Sequence, residues 1–396
     1  MKGFEITPEQ CAAIVGALVA DELGWRFGRH MDYLTVGSLA PATQFAAGGL
    51  RLDAEERAAC ARRATSFFGQ PTEILAPGGD ASALTDVAAW AEALHAATRR
   101  RLVEFAFTPA GRDSARAACR HAADEIFGEA AQASKLLYGR RRLISLVAPH
   151  SLMGFVLTIL APNLQRIPML DARGVAPDDL NAELAFGDAV VATPSLWLYL
   201  LRQGVAAPDN AMGLFFGEAM EPELTIELRK AGFVAQRELY GSTETGLIGW
   251  RDTVGAPFML FDHLARDGDA LSRRLPAGAA EAVAPMDVLE WEGERQFRLA
   301  GRRDGAVQVG AVNVFPLRIA DAIGGHRHVA GCRIRGGRHE GGFNRLIAHI
   351  VLADARTPSE TVARSIDSWC RAHLGPHERP RIYHFEDGLD ALEALD

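Results

Sequence analysis

Residues 240–246, with the sequence Tyr-Gly-Ser-Thr-Glu-Thr-Gly, combine side chains that suit the binding of a nucleotide. Gly241 and a second glycine at the end of the stretch allow positive φ values and a close approach of the backbone to a ligand. Ser242 and Thr243 carry hydroxyls that can bind phosphate oxygens, and Glu244 carries a carboxylate that can bind Mg²⁺. The pattern indicates a phosphate and Mg²⁺ site, with an ordinary strand-to-loop turn and a solvated glutamate as the alternative.

The segments around this stretch predict the strands and helices that position it. The apolar run at 234–239 leads directly into the stretch and predicts a strand. Further strands are predicted at 102–107, 142–148, 167–170, 188–192 and 213–216, and helices at 8–24, 54–68, 83–101, 114–137, 154–160, 194–203 and 221–231. Because strands and helices alternate at this spacing, we expect a mostly parallel sheet covered by helices.

The chain changes character towards its C-terminal end. Short alternating segments at 288–292 and 296–299 predict an antiparallel hairpin or a small barrel, and the charged, glycine-flanked sequence at 301–305 predicts a linker. We therefore expect an α/β protein whose large N-terminal domain, residues 1–301, has mostly parallel sheets covered by helices and a small barrel-like part. A small mobile α+β domain, residues 302–396, is expected to follow it.

Composition narrows the function classes. The chain has 396 residues, of which 48% are hydrophobic and 23% charged, as is typical of a globular protein. Its net charge of -8 and its scattered arginines argue against nucleic-acid binding. Its five cysteines have no close spacing, so they indicate neither a disulfide framework nor a zinc site and fit the cytoplasm. The uncharged segment 143–162 is interrupted by Pro149, His150 and Gly154, so we expect no membrane span.

Four motifs carry a resemblance to a known family. Residues 240–246 match the YGxTE motif of the adenylate-forming superfamily, and residues 301–304 match its GRxD hinge motif. Residues 216–219 resemble its adenine-side loop, and residues 285–287 stand where it has Thr-Gly-Asp. The chain therefore resembles the acyl- and aryl-CoA ligases of this superfamily, in the branch of coumarate-CoA ligases, benzoate-CoA ligases and acyl-carrier-protein ligases.

The resemblance implies a site for ATP or AMP and for Mg²⁺. Tyr240 would lie near the adenine, Thr243 on the α-phosphate and Glu244 on Mg²⁺, while Asp287 would hold the ribose hydroxyls and Arg302 the ribose or phosphate. The residues implied at the nucleotide are Tyr240, Gly241, Ser242, Thr243, Gly217, Glu218, Asp287 and Arg302, and those implied in catalysis are Glu244, Thr243 and His150. The resemblance also implies a small aromatic or medium-chain carboxylic acid as substrate, CoA or a phosphopantetheine thiol as acceptor, and an acyl carrier protein as partner.

The chain departs from the superfamily at places that matter for ATP. The phosphate loop aligns with residues 108–116, where Pro109 lacks an N–H and Asp113 adds a repulsion of about 1 kcal/mol against a triphosphate. The superfamily's C-terminal lysine has no counterpart, since Lys230 is the last lysine, and such a cation is typically worth about 3–4 kcal/mol. Just after the loop, His121 is predicted to lie on a helix with a structural role.

Three functions stay open on the sequence alone. The chain could activate a carboxylic acid as an acyl-adenylate and transfer it to a thiol. It could be a repurposed acyl transferase that does not cleave ATP in the usual way, because the ribose-side and metal-side residues are kept while the triphosphate-side residues are not. It could also be a non-catalytic partner in a biosynthetic complex. Tighter binding of AMP than of ATP would favour the second function, and no nucleotide binding would favour the third.

Overall fold

The computed structural model describes residues 5–29, 39–80, 83–109, 118–208, 210–268, 270–274, 278, 280–309, 312–338, 344–354 and 359–394. Within these residues the chain forms two compact units. The first extends to Pro285 and includes Glu290–Arg298, and the second comprises Met286–Leu289 and the chain from Leu299 onward. A domain boundary between residues 301 and 302 stays a prediction.

Helices open the first unit. They are α1 (Pro8–Arg26), α2 (Ala54–Phe67) and α3 (Val87–Arg100), with short 3₁₀ turns at Thr72–Leu75 and Pro77–Gly79. Thr7 fixes the start of α1, because its Oγ1 accepts a hydrogen bond from the Gln10 N–H at 3.2 Å while Gln10 Oε1 accepts from the Thr7 N–H at 3.0 Å. Val15 and Trp90 are fully buried, so these helices pack into the main core of the unit.

Strands and helices then alternate. The strands are β1 (Glu104–Phe107), β2 (Cys119–Ala122), β3 (Arg142–Ser145), β4 (Met169–Asp171), β5 (Asp188–Ala192), β6 (Met212–Phe215), β7 (Ala235–Ser242), β8 (Gly246–Arg251), β9 (Phe258–Leu260), β10 (Leu264–Asp267), β11 (Ala270–Arg274), β12 (Ala280–Val283), β13 (Asp287–Trp291) and β14 (Gln296–Arg302). The helices are α4 (Ala123–Lys135), α5 (Leu152–Phe155), a π-helical turn (Val156–Leu160), α6 (Ala161–Gln165), α7 (Pro177–Glu183), α8 (Pro194–Arg202) and α9 (Pro222–Lys230).

A nine-stranded sheet in the order β13-β14-β9-β8-β7-β6-β5-β3-β4 organises these strands. Strands β3 to β7 pair in parallel, whereas β8 and β9 are antiparallel to their neighbours. Every residue of β5 is buried, which is typical of a strand covered on both faces. The predicted α/β class with a large helix-covered sheet is confirmed. The residues of β10, β11 and β12 form a separate three-stranded antiparallel sheet.

The prediction of a helix from residue 114 was wrong for residues 119–122. These residues form β2, which pairs antiparallel with β1. Their side chains alternate, because His121 points inward and is buried while Arg120 is exposed and forms an ion pair with Glu104. This period of two spans only four residues before the Ala-rich α4 begins, so the helical signal of α4 concealed it. Residues 110–117 lie outside the described part of the chain.

The uncharged segment 143–162 divides into short elements. After β3, Ser151 caps a helical run over residues 152–165, and its Oγ accepts a hydrogen bond from the Gly154 N–H at 3.1 Å. The run consists of α5, the π-helical turn and α6, and its residues from Leu152 to Pro162 are buried. In the described part of the chain, no helix combines the length and the apolar character that a membrane crossing requires.

The second unit has its own small core. Its elements are β15 (Val307–Val309), β16 (Val312–Val314), α10 (Pro316–Gly324), β17 (Val329–Arg338), β18 (Asn344–Leu352), α11 (Ser359–His373), β19 (Ile382–Glu386) and α12 (Leu389–Glu393). Strands β17 and β18 are antiparallel, and β19 adds to β18 in parallel. Ile319, Ile350 and Ile366 are fully buried in the core of this unit.

Candidate functional site

The stretch 240–246 lies at the carboxyl edge of the parallel strands. Tyr240, Gly241 and Ser242 complete β7, and the backbone turns through residues 243–245 before β8 begins at Gly246. β7 therefore extends further than the apolar run at 234–239 predicted. Ligands of open α/β sheets bind outside the carboxyl ends of the strands, so the stretch is placed where this fold binds small molecules.

Both glycines are required by the space around them. Gly246 has φ +72°, and a Cβ on it would lie 1.9 Å from Oε1 of Glu129. A Cβ on Gly241 would lie 2.3 Å from the carbonyl oxygen of Gly246. A larger side chain would push the turn away from α4 at Gly246 and would separate β7 from β8 at Gly241.

The hydroxyls of the turn fall into two groups. Ser242 Oγ lies 2.9 Å from Thr245 Oγ1 and accepts the Thr245 N–H at 3.2 Å, so these two side chains close the turn. Within the described part of the chain, the Thr243 hydroxyl and the Glu244 carboxylate form no hydrogen bond to protein. Glu244 is exposed and Thr243 is half-buried. These two side chains are therefore available to a ligand.

Aromatic rings support Tyr240. Its ring centroid lies 5.7 Å from that of Phe258 and 5.8 Å from that of Phe297. The two phenylalanines stack on each other with centroids 5.6 Å apart. Tyr240 itself is half-buried, so part of its ring stays accessible beside an apolar support.

Buried polar side chains hold the backbone of the turn. His121 Nε2 lies 2.8 Å from the Thr243 carbonyl oxygen. Burial lowers the pKa of His121, so the ring is neutral and its Nε2–H donates to this carbonyl. The prediction of a helical His121 was wrong, and the position of His121 on β2 brings it under the turn. The sequence feature that pointed to His121 is its position just after the aligned phosphate loop, residues 108–116.

Two further residues of this network were not singled out in the sequence. Arg273 on β11 donates through Nη2 to the Thr245 carbonyl oxygen, and the same Nη2 lies 3.4 Å from Oε1 of Glu129. Glu129 on α4 accepts the Leu247 N–H through Oε2 at 3.0 Å. Both side chains are buried. No motif marks them, because their significance arises only when α4, β8 and β11 come together.

The adenine-side residues predicted at 217 and 218 lie at the same edge of the sheet. They follow β6, the neighbour of β7, and Gly217 has φ +89°. The Ser195 hydroxyl donates to Oε2 of Glu218. Burial raises the pKa of Glu218, and the hydrogen bond from Ser195 opposes that shift only in part. The carboxyl edge of the sheet thus collects the residues after β5, β6 and β7.

His150 follows β3, at this edge as well. It is buried, and its Nε2 lies 3.6 Å from Oδ2 of Asp21 on α1. Burial lowers the pKa of His150 to about 4, although Asp21 favours the charged form. The imidazole is therefore neutral near pH 7.

The remaining predicted residues belong to the second unit. Asp287 is half-buried at the start of β13. Arg302 donates through Nε and Nη2 to the two carboxylate oxygens of Asp304 at 2.8 and 2.7 Å. These hydrogen bonds lower the pKa of Asp304, and its Oδ1 also accepts the Ala306 N–H at 3.1 Å. Most of the predicted phosphate loop, residues 110–116, lies outside the described residues.

Solved structures of CoA ligases share the fold of this chain. An o-succinylbenzoate CoA synthetase of Bacillus subtilis with a bound product analogue is 16% identical and has a TM-score of 0.57. The matched region is 72% of this chain and 66% of the synthetase chain. A malonyl-CoA ligase in complex with methylmalonyl-CoA and AMP is 16% identical, covers 72% and 71%, and has a TM-score of 0.55. No family model matches the chain. The fold is that of these CoA ligases.

Curated relatives with similar sequences are 4-coumarate–CoA ligases. A 4-coumarate–CoA ligase of Halorhodospira halophila is 35% identical over 253 residues, 64% of this chain and 64% of the relative. A 4-coumarate–CoA ligase of Rhodobacter capsulatus is 33% identical over 251 residues, 62% of this chain and 61% of the relative. The chain thus spans less than two thirds of the length of these relatives. Over the shared part, the chain is similar in sequence to 4-coumarate–CoA ligases and has the fold of CoA ligases, which confirms the resemblance to acyl- and aryl-CoA ligases.

Proposed function

We propose that the chain activates a small carboxylic acid, aromatic or medium-chain, as an acyl-adenylate and transfers the acyl group to a thiol of CoA or of a phosphopantetheine on an acyl carrier protein. The observation that carries the proposal is the turn after β7, where Thr243 and Glu244 are available to a ligand at the carboxyl edge of the sheet. Relatives named 4-coumarate–CoA ligase support it. So does the pairing of AMP with a CoA thioester in the malonyl-CoA ligase structure.

The proposed reaction has two balanced steps. In the first, an oxygen of the substrate carboxylate bonds to the α-phosphorus of ATP while the bond from that phosphorus to the bridging oxygen breaks, and pyrophosphate leaves. In the second, the thiol sulfur bonds to the acyl carbon, AMP leaves with the electron pair of the broken C–O bond, and the thiol proton passes to solvent. Negative charge builds up around the α-phosphate in the first step, so donors placed there stabilise the transition state.

The residues take the following parts in this proposal. The Thr243 hydroxyl donates to the α-phosphate, while Ser242 keeps the turn closed and Gly241 lets β7 lie close to the backbone of Gly246 on β8. Tyr240, on its aromatic support, packs against the adenine. Gly217 and Glu218, in the loop after β6, line the adenine. Asp287 accepts hydrogen bonds from the ribose hydroxyls, and Arg302 contacts the ribose or phosphate.

His150 acts as a neutral group in this proposal. A pKa of about 4 makes its imidazole too weak a base to remove a thiol proton efficiently near pH 7. We therefore assign it a part in catalysis as a neutral hydrogen-bonding group near the carboxylic acid substrate. Asp21, 3.6 Å from its Nε2, limits the orientation of the ring.

The residues fit a Mg²⁺ ion that is held mainly by phosphate oxygens and water. Glu244 offers one exposed carboxylate, and the described residues contain no group of three or more side chains that could hold a metal ion. Mg²⁺ at a nucleotide is usually bound by one or two protein carboxylates together with phosphates. When bound, the ion would neutralise phosphate charge during displacement of pyrophosphate.

Pyrophosphate release from ATP tests the proposal. The chain is incubated with Mg²⁺, ATP and a panel of aromatic and medium-chain acids, and then with CoA or a phosphopantetheinylated carrier protein to detect the thioester. We expect turnover with at least one acid, and a loss on the order of 10²-fold in Glu244→Gln because a group at the phosphates is removed.

A matched control distinguishes the loss of Glu244 from the loss of any exposed carboxylate. Glu227→Gln removes another exposed carboxylate, which pairs with Lys230 on α9, and it should leave turnover unchanged. If no acid gives pyrophosphate above the level of Glu244→Gln, the proposed activity is wrong.

A further inference from the structure

We propose that Arg273 is a positioning residue that fixes the backbone of the turn at residues 243–246 from below. Arg273 lies on β11, outside every motif that the sequence presents. Its side chain is 6% exposed. Nη2 donates to the Thr245 carbonyl oxygen, while Nη1 lies 3.3 Å from Oε2 of Glu125 on α4. One guanidinium thus joins the turn to a helix.

Glu129 completes this arrangement from the same helix. Its Oε1 lies 3.4 Å from Arg273 Nη2, and its Oε2 accepts the Leu247 N–H at 3.0 Å. The two side chains therefore hold the backbone on both sides of Gly246. With the bond from His121 to the Thr243 carbonyl, three backbone groups between Thr243 and Leu247 are paired with buried side chains. Buried backbone groups that lose such partners are costly, so this pairing specifies one conformation of the turn.

The charges explain why an arginine is required at this position. Arg273 faces three carboxylates: those of Glu125 and Glu129, and that of Glu281 at 3.9 Å. A guanidinium presents several N–H groups in a fixed plane, so it can bind a carbonyl and two carboxylates at once. A lysine ammonium is a single point of charge on a flexible chain. It would keep the charge balance but lose the fork that reaches both the turn and α4.

The consequence for function rests on the proposed nucleotide site. His121 binds the carbonyl of Thr243 and Arg273 binds that of Thr245, so the two bonds fix the backbone on both sides of Glu244. If the backbone there is fixed, the hydroxyl and the carboxylate are pre-organised for phosphate and Mg²⁺. Pre-organisation raises affinity because less conformational freedom is lost on binding.

Hydrogen–deuterium exchange of the full chain tests the positioning directly, without any ligand. We expect peptides covering residues 243–248 to exchange at least 10-fold faster in Arg273→Lys and in Arg273→Met, with smaller changes elsewhere in the first unit. Arg273→Lys keeps the charge, so it guards against the case in which Arg273→Met does not fold. The matched control is Arg142→Met, which breaks the ion pair of the half-buried Arg142 with the buried Asp188 at the amino ends of β3 and β5. It should leave exchange at 243–248 unchanged.

Calorimetric titration with AMP then separates positioning from general stability. A residue with only a structural role would lower the fraction of active protein, and so the binding stoichiometry, without changing Kd. We expect Arg273→Lys to raise the Kd for AMP at least 10-fold at unchanged stoichiometry, with no such rise in Arg142→Met. Unchanged exchange at 243–248 in both Arg273 variants, or an increase spread evenly over the first unit, would overturn the proposal. If the wild-type chain binds no AMP, the proposed function fails, and the exchange result alone decides the role of Arg273.

Discussion

At the scale of single residues, the carboxyl of Glu129 combines complete burial with partners that favour its charge. Burial raises its pKa from 4.5 to about 7, and Arg273 and the Leu247 N–H oppose that shift without cancelling it. The folded protein therefore keeps this proton to higher pH than the unfolded chain does. The contribution of Glu129 to the free energy of unfolding is therefore fully present below pH 4.5 and is lost as the pH rises through about 7.

The Glu129→Gln variant should remove this pH dependence, because glutamine does not titrate and its amide oxygen can still accept the Leu247 N–H. From pH 5 to pH 8 we expect the wild type to lose on the order of 2–3 kcal/mol of unfolding free energy relative to the variant. Urea unfolding of both proteins at the two pH values measures the difference. The comparison cancels the titration of His150, whose lowered pKa has the opposite effect. Parallel pH profiles would show that Glu129 titrates normally.

At the scale of secondary-structure elements, the sequence predicted the parallel part of the sheet well. β5 matches its predicted bounds at 188–192, because four successive apolar residues after Asp188, bounded by turns, leave few alternatives. β2 was missed since its signal is four residues long. The side chains that bind the turn could not be predicted either, because Arg273 and Glu125 are 148 positions apart and His121 and Thr243 are 122 apart. Such contacts depend on the topology of the fold, so they cannot be predicted from local sequence patterns.

The start of the helical run at 152–165 depends on a glycine for a steric reason. A Cβ on Gly154 would lie 2.1 Å from the Ala148 carbonyl oxygen and 2.6 Å from Ser151 Oγ. The Gly154→Ala variant must therefore shift the loop that carries His150. We expect a loss of about 1–3 kcal/mol of unfolding free energy, measured by urea unfolding.

A second helical glycine provides the control for Gly154→Ala. Gly128 in α4 has open space where a Cβ would be. Gly128→Ala should accordingly stabilise the chain by about 0.5–1 kcal/mol, since alanine is the better helix former. Equal effects of the two substitutions would mean that helix propensity, not the contact with Ala148, decides the cost at Gly154.

At the scale of the whole molecule, the described chain has two compact units with separate hydrophobic cores. Tyr240 and Glu244 belong to the first unit, and Asp287 and Arg302 belong to the second. For the proposed hinge at residues 301–304 to work, each unit must keep its structure when the other moves. Local stability in each unit is therefore a functional requirement of the proposal.

The separate cores predict separate responses to core substitutions. Ile350 is fully buried in the second unit, and Ile350→Ala should leave a cavity that costs about 2–5 kcal/mol. Because the first unit has its own core, we expect faster hydrogen–deuterium exchange in peptides of the second unit and little change in the first. Leu214→Ala, in the fully buried β6, should give the reverse pattern. If either substitution accelerated exchange equally throughout the chain, the two units would unfold as one cooperative structure, and a hinge between independently stable units would be excluded.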